Sequence, residues 1–181
     1  ATATGFSDTM VEEDGDYPFV TVQLPVYNEM YVIERLIDRV VQFDYPKERY
    51  EIQVLDDSTD ETVDIIRRKV EEYQTQGYQI EQITRSDRQG YKAGALRDAM
   101  PYVKGDFIAI FDADFVPRRD FLKATVPHFQ NPEVGVVQTR WAHLNEDYSL
   151  LTRLQALQLN VHFTVEQSGR QQAGYTLQFN G

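Results

Sequence analysis

No cysteine occurs in the 181 residues. A disulfide framework and a thiolate metal site are therefore excluded. Positive charge is also scarce: 18 Lys and Arg stand against 29 Asp and Glu, a net charge of -11. A nucleic-acid binder needs a basic face to displace counterions, and this chain offers none. Nor is there a polybasic patch for anionic lipid. No apolar run approaches about 18 residues, so no segment reads as a membrane span. The first residues, Ala1 to Tyr17, have neither a basic start nor an apolar stretch. They do not form a signal peptide and read as a disordered lead-in, with the folded domain from residue 18 to 181.

Apolar runs alternate with amphipathic ones. Phe19–Leu24 reads as a strand stopped by Pro25, and Glu29–Val41 as a helix with the stripe Val32, Ile33, Leu36, Ile37 and Val40. Ile52–Leu55 is a second strand. Ser58 with Glu61 reads as a capping box opening a helix to about Gln76, and Gly77 stops it. Tyr78–Ile83 is a third strand, Gly90–Met100 a short helix, and Phe107–Phe111 a fourth strand. A helix over Arg119–Phe129, a fifth strand over Val134–Thr139 and a long helix from Tyr148 to about Gln167 follow. This alternation predicts an α/β fold, a doubly wound and mostly parallel sheet. The last helix is apolar on more than one face around Leu150 to Phe163, which predicts self-association or burial against a missing part. The chain is expected to be the N-terminal part of a larger protein.

Two acidic clusters close strands, and ligands of open α/β sheets sit at that edge. Asp56-Asp57 follows the second strand. Adjacent carboxylates repel and need a partner, which is either a ligand or a helix N-terminus capped by one of them. Asp112-Ala113-Asp114 follows the fourth strand. Residues two apart in a strand point the same way, so both carboxylates can face one ligand through Mg²⁺ or Mn²⁺; the alternative is a pair of solvated turn acids. Gly90-Tyr91-Lys92-Ala93-Gly94 begins a helix. A lysine in that first turn opposes the helix dipole, and either an anionic ligand removes the conflict or the segment is a Gly-containing turn with a surface lysine. The spacing is neither that of a P-loop nor that of a dinucleotide fingerprint. Tyr27 and Glu29 suit either a nucleoside contact or a helix start capped by Asn28. His128, His143 and His162 form no ligand pair, and Trp141 reads as a core or sugar-stacking residue.

Four segments in this order resemble glycosyltransferase family 2: Pro25-Val26-Tyr27-Asn28-Glu29, Val54-Leu55-Asp56-Asp57-Ser58-Thr59-Asp60, Gly90-Tyr91-Lys92-Ala93-Gly94-Ala95-Leu96 and Ile110-Phe111-Asp112-Ala113-Asp114-Phe115. The span from Phe19 to Gly181 is similar to a GT-A fold, especially that of cellulose-synthase-like β-mannan and glucomannan synthases. Gln138 to Trp141, His162 to Gln167 and Phe179-Asn180-Gly181 also resemble that branch.

The resemblance implies an inverting hexosyltransferase, moving glucose or mannose from a UDP- or GDP-hexose to a β-linked polysaccharide acceptor. It implies that Asp56 and Asp57 bind the base and ribose side of the donor, flanked by Tyr27 and Glu29. Lys92 would contact the diphosphate. Asp112 would reach the ribose or sugar, and Asp114, with Asp112, would hold the metal. Phe179, Asn180 and Gly181 would lie on the acceptor side. The family's general base is expected beyond Gly181, as are membrane helices that would place the parent at the cytoplasmic face of a membrane. This piece alone would then be soluble and bind donor without turnover. Two alternatives are a noncatalytic nucleotide-sugar-binding or assembly fragment and a phospho-receiver domain, although a receiver carries its acidic pair after the first strand.

Overall fold

Strand β1, Val20–Val26, is buried along its whole length because it lies inside the sheet. In this computed structural model, which describes residues 17–139 and 165–167, four parallel strands and one antiparallel strand are ordered β3-β2-β1-β4-β5. β2 is Tyr50–Asp56, β3 Ile80–Thr84, β4 Phe107–Ile110 and β5 Val165–Gln167. The helices are α1 (Ile33–Val40), α2 (Thr62–Thr75), α3 (Tyr91–Ala99) and α4 (Phe121–Thr125). The chain winds from β1 outward to β3, then returns across β1 to β4. The switch point therefore lies between β1 and β4, where ligands of such sheets bind.

The two faces of the sheet differ. Val20, Val22, Leu24, Ile52 and Val54 join Ala109, Phe111 and the buried sides of α1 and α4 in one large core. The α1 stripe is Ile33, Leu36, Ile37 and Val40, four of the five residues the 3.6-residue spacing predicts; Val32 precedes the helix and is half-buried. On the other face, Leu55 packs with Ala95, Leu96 and Ala99 of α3. Ile83 and Ile110 pack against that cluster, and the same face carries a buried polar layer that is internally paired. Thr21 Oγ1 donates to Glu51 Oε1 at 2.8 Å, and Gln23 Nε2 to Gln53 Oε1 at 3.0 Å. Lys104 Nζ reaches Glu51 Oε2 at 2.7 Å. Buried polar groups survive there because each has its partner.

Several boundaries move from their predicted places. Pro25 does not stop β1, which continues to Val26 in register with Asp56. The Gln23 carbonyl accepts from Phe111 N, so the nitrogen of Pro25, two residues on, also faces the β4 side. β4 pairs β1 only from Val20 to Gln23, so no ladder bond is lost at Pro25. α1 begins at Ile33, four residues late, because Glu29 to Val32 form a turn in which Val32 and Ile33 N–H donate to the Glu29 carbonyl. The Ser58–Glu61 capping box does not form. Asp60 Oδ1 accepts from Thr62 N at 2.9 Å instead, while Ser58 Oγ accepts from Asn28 N. Gly77 ends the second helical segment in the left-handed region, φ 82°, as expected.

The predicted strand Val134–Thr139 is not a strand of this sheet. Val136 is 52% exposed, while Val134 and Val137 pack half-buried against the large core, and that contact does not by itself make a ladder strand. The β4 edge is taken by β5, antiparallel, with Ala109 opposite Val165. Val165–Gln167 is therefore strand where the long last helix was predicted to end. The rest of that helix, with Leu150 to Phe163, lies outside the described residues, as do residues 1–16. Tyr17, assigned with the lead-in, packs its ring edge-on against Tyr45 at 5.0 Å. Among the described residues, no helix is long and apolar enough to cross a membrane.

Candidate functional site

Parallel strands deliver their following loops to one edge of the sheet. That edge carries Tyr27-Asn28-Glu29 after β1, Asp57 to Asp60 after β2, Arg85 to Gly90 after β3 and Phe111 to Val116 after β4. The first two loops are fastened together. Asn28, left-handed at φ 55°, accepts from Thr59 N through Oδ1 at 2.8 Å, and its own N–H donates to Ser58 Oγ at 2.9 Å.

The two adjacent acids have different fates. Asp56 is buried, with Oδ1 accepting from Ser58 N at 2.9 Å and Oδ2 from Gln82 Nε2 at 2.8 Å. Both oxygens serve the fold. Asp57 meets Arg85 in a bidentate pair, Nε to Oδ1 at 2.8 Å and Nη2 to Oδ2 at 2.6 Å. Their side chains are 6% and 14% exposed, so this charge pair is largely out of water. The repulsion expected between neighbouring carboxylates is thus relieved inside the protein, by a guanidinium and an amide. Asp57 and Arg85 also line a cavity of about 150 Å³ walled by Leu55, Ile83, Ala95 and Ala99. Lys92, Asp112 and Asp114 do not line it.

Arg85 and Arg88 are the site residues that the sequence reading missed. Arg85 raises its own affinity for the proton through its bonds to Asp57 and then Asp98. Asp98, held by Arg97 and Arg85, has its carboxyl below the usual range. The Arg88 guanidinium carbon lies 3.3 Å from the centroid of the Tyr27 ring and 5.0 Å from that of Tyr91. The Tyr27 face expected to meet a nucleoside is therefore covered by an arginine. The available signal was charge complementarity: basic residues close β3 at the edge where acids close β2.

The turn after β4 is anchored from both sides. Phe111 is fully buried, Phe115 stacks parallel to it at 5.8 Å, and Phe115 N donates to the Asp112 carbonyl. Asp112 pairs with Lys92 Nζ. Their side chains are 40% and 45% exposed, so this pair remains open to exchange with a ligand. The anion that Lys92 needs in the first turn of α3 is supplied, in part, by Asp112. Asp114 is exposed, and its carboxylate takes no partner among the described residues. Among those residues, no group of three or more metal-ligating side chains is gathered. At Gly94 the backbone closely approaches its own turn, since a Cβ there would sit 2.0 Å from the Gln89 oxygen. The acceptor-side residues Phe179, Asn180 and Gly181, together with Trp141 and His162, lie outside the described residues.

Residues 21–178 match the family described as glycosyl transferase family 2. Glucomannan 4-beta-mannosyltransferase 9 of Arabidopsis thaliana is 44% identical over 170 residues, covering 91% of this chain and 32% of that protein. Probable glucomannan 4-beta-mannosyltransferase 7 of Oryza sativa subsp. japonica is 44% identical over 172 residues, covering 92% and 29%. The chain thus spans about a third of the length of these curated relatives. The solved structure of mannosyltransferase PcManGT from Pyrobaculum calidifontis, in complex with GDP-Man and Mn²⁺, superposes with a TM-score of 0.63 at 35% identity. That likeness covers 68% of this chain and 36% of the other. The phospho-receiver alternative is overturned by the family match and by an acidic pair that follows β2. The doubly wound sheet expected of a GT-A domain is the one observed, and the chain belongs to glycosyl transferase family 2.

Proposed function

We propose that this chain binds the donor of an inverting hexosyltransferase that moves mannose from GDP-mannose to a β-linked polysaccharide. The observation that carries the reading is the turn after β4 at the switch point: Asp114 exposed and without a partner among the described residues, beside Asp112 in an accessible pair with Lys92. Mannose is preferred over glucose because the relatives above are named as mannosyltransferases and PcManGT was solved with GDP-Man. UDP-glucose is the competing donor.

The residues fit a hard divalent cation. Asp112 and Asp114 offer oxygen donors two residues apart, and Mg²⁺ or Mn²⁺ commonly takes one or two carboxylates and completes its shell with phosphate oxygens and water. When bound, the ion supplies Lewis acidity to the departing diphosphate. Lys92 adds positive charge beside the same oxygens. On the base side, Asp57 accepts a ring N–H, with Glu29 and the Arg88 guanidinium that covers the Tyr27 ring flanking the nucleoside. The acceptor hydroxyl attacks the anomeric carbon from the face opposite the diphosphate, and the bond to the phosphate oxygen breaks. A carboxylate base takes the acceptor proton; we assign it to a part of the enzyme outside these 181 residues. Phe179-Asn180-Gly181 belongs to the acceptor side. In this reading the whole enzyme works at the cytoplasmic face of a membrane, while the chain by itself is a binding unit.

The test is calorimetry of GDP-mannose and UDP-glucose on this chain, with Mn²⁺ and with chelator, for the parent sequence and Asp114→Asn. Tighter GDP-mannose binding in Mn²⁺, falling about tenfold or more in the variant, supports the assignment. Equal affinity in both proteins refutes it. Turnover by this chain alone would refute the external base.

A further inference from the structure

Arg85 carries five N–H groups, and all five are used. Nε and Nη2 hold Asp57. Nη2 also donates to the Tyr91 carbonyl at 2.8 Å, and Nη1 donates to the Gln89 carbonyl at 2.9 Å and to Asp98 Oδ2 at 3.1 Å. One guanidinium therefore ties together the loop after β2, the turn before α3 and the body of α3. It has no donor left for a ligand.

The turn it holds is a strained one. Gly90 and Tyr91 are consecutive left-handed residues, φ 75° and 50°. Glycine takes that conformation freely, but a tyrosine does so only when its surroundings impose it. The Tyr91 carbonyl bound by Arg85 is such a constraint, and Lys92, which pairs with Asp112, is the next residue.

We propose that Arg85 is a positioning residue that locks the base-side acid, Asp57, and the phosphate-side lysine, Lys92, into one rigid unit. The coupling of these two ends rests on the donor-site reading above; the lock itself does not. The simpler role, neutralising the buried charge of Asp57, makes a different prediction. A lysine would satisfy it, whereas three ammonium donors on a flexible stem cannot reproduce a five-way planar fork.

The experiment compares Arg85→Lys, Asp57→Asn and Asp98→Ala with the parent chain. Amide hydrogen exchange over residues 89–94 reads the lock without any ligand. Calorimetry in Mn²⁺ reads GDP, which has a base, and inorganic pyrophosphate, which has none. Arg85→Lys is expected to speed exchange at 89–94 about tenfold and to weaken both ligands about fivefold or more, since charge-assisted bonds to the turn are lost. Asp57→Asn leaves the bonds to Gln89, Tyr91 and Asp98 and is expected to weaken GDP while changing pyrophosphate by less than about twofold. Asp98→Ala, at an exposed position that does not threaten folding, is expected to weaken both ligands in parallel by about two- to threefold. Parent-like exchange in Arg85→Lys, or loss of GDP binding with pyrophosphate untouched, overturns the proposal. If Arg85→Lys does not fold, an Asp98→Ala variant with unchanged pyrophosphate binding overturns it equally. If the parent chain binds neither ligand, the donor-site reading falls and exchange alone decides the lock: protection lost in Arg85→Lys upholds it, and protection kept overturns it.

Discussion

Gly94→Ala sets local propensity against tertiary structure with opposite signs. Gly94 lies inside α3, and replacing an interior helical glycine by alanine normally stabilises by about 1 kcal/mol. Here the new methyl would sit 2.0 Å from the Gln89 carbonyl oxygen and 2.7 Å from Arg85 Nη1. The oxygen is main chain and is fixed by Arg85, while Gln89 N donates to Asp87 Oδ1 at 3.0 Å. Relief requires the turn to move off the helix by an ångström or so, which breaks the Arg85–Gln89 bond. Overpacking costs about 1–3 kcal/mol and a lost bond to a charged donor about 1.5–3 kcal/mol. Less the helical gain, the expected result is a loss of about 1.5–5 kcal/mol. For a chain of this size that lowers Tm by about 3–20 °C, followed by far-ultraviolet circular dichroism. Gly90→Ala serves as comparison. It meets Gly94 Cα at 3.1 Å and Gly94 N at 3.2 Å and is expected to lose about 1–2 kcal/mol from left-handed strain. A Gly94→Ala protein as stable as the parent, or more so, refutes the claimed contact between turn and helix.

Burial pushes the Tyr45 and Tyr50 hydroxyls above the ordinary tyrosine range. The neutral phenol is thus favoured in the folded state: its stabilisation is complete below the unfolded value of about 10 and is lost as pH rises through the folded values. Denaturant melts at increasing pH, read beside phenolate absorbance, are expected to show falling midpoints above about pH 10, with a smaller fall in Tyr50→Phe; pH-independent midpoints refute this. Glu51→Ala removes the carboxylate that accepts from Thr21 Oγ1, Lys104 N and Lys104 Nζ. Leaving the buried Thr21 hydroxyl and the Lys104 amide without this acceptor is expected to cost about 2–4 kcal/mol in urea denaturation, and a loss below about 0.5 kcal/mol contradicts the paired polar layer.

What could be read from the sequence was whatever depends on neighbours along the chain. The four parallel strands and the α1 stripe follow from local periodicity, and the acids after β2 and β4 follow from strand ends. What could not be read depends on partners far along the chain. Arg85 lies 28 residues from Asp57, and nothing in the Asp-Asp pair shows that one acid is buried against Gln82 and the other is clamped by an arginine. Pro25 looked like a stop because the proline penalty is local. It is tolerated because β4 ends before reaching it, which only the register reveals. Val134–Thr139 has strand composition and rests Val134 and Val137 on the core without becoming one of the sheet's strands, so β-propensity carries little weight alone.

The edge of the sheet holds two kinds of ion pair, and their burial sets what each can do. Asp57 and Arg85 are shielded from water and joined by two short bonds. Separating them would leave a buried charge unpaired, at a cost of about 3–5 kcal/mol, so a ligand cannot take Arg85 for itself. Lys92 and Asp112 are each close to half exposed. Such a pair contributes about 0–1 kcal/mol, so a phosphate can draw Lys92 away from Asp112 almost freely and leave that carboxylate available. The chain as a whole is acidic, with a net charge of -11, and repels a nucleoside diphosphate. Binding therefore depends on local positive charge that is not already committed. Arg85 is committed, and Arg88 is stacked on Tyr27 with Nε 3.9 Å from Asp57 Oδ2, which leaves Lys92, in the first helical turn that Arg85 holds in place.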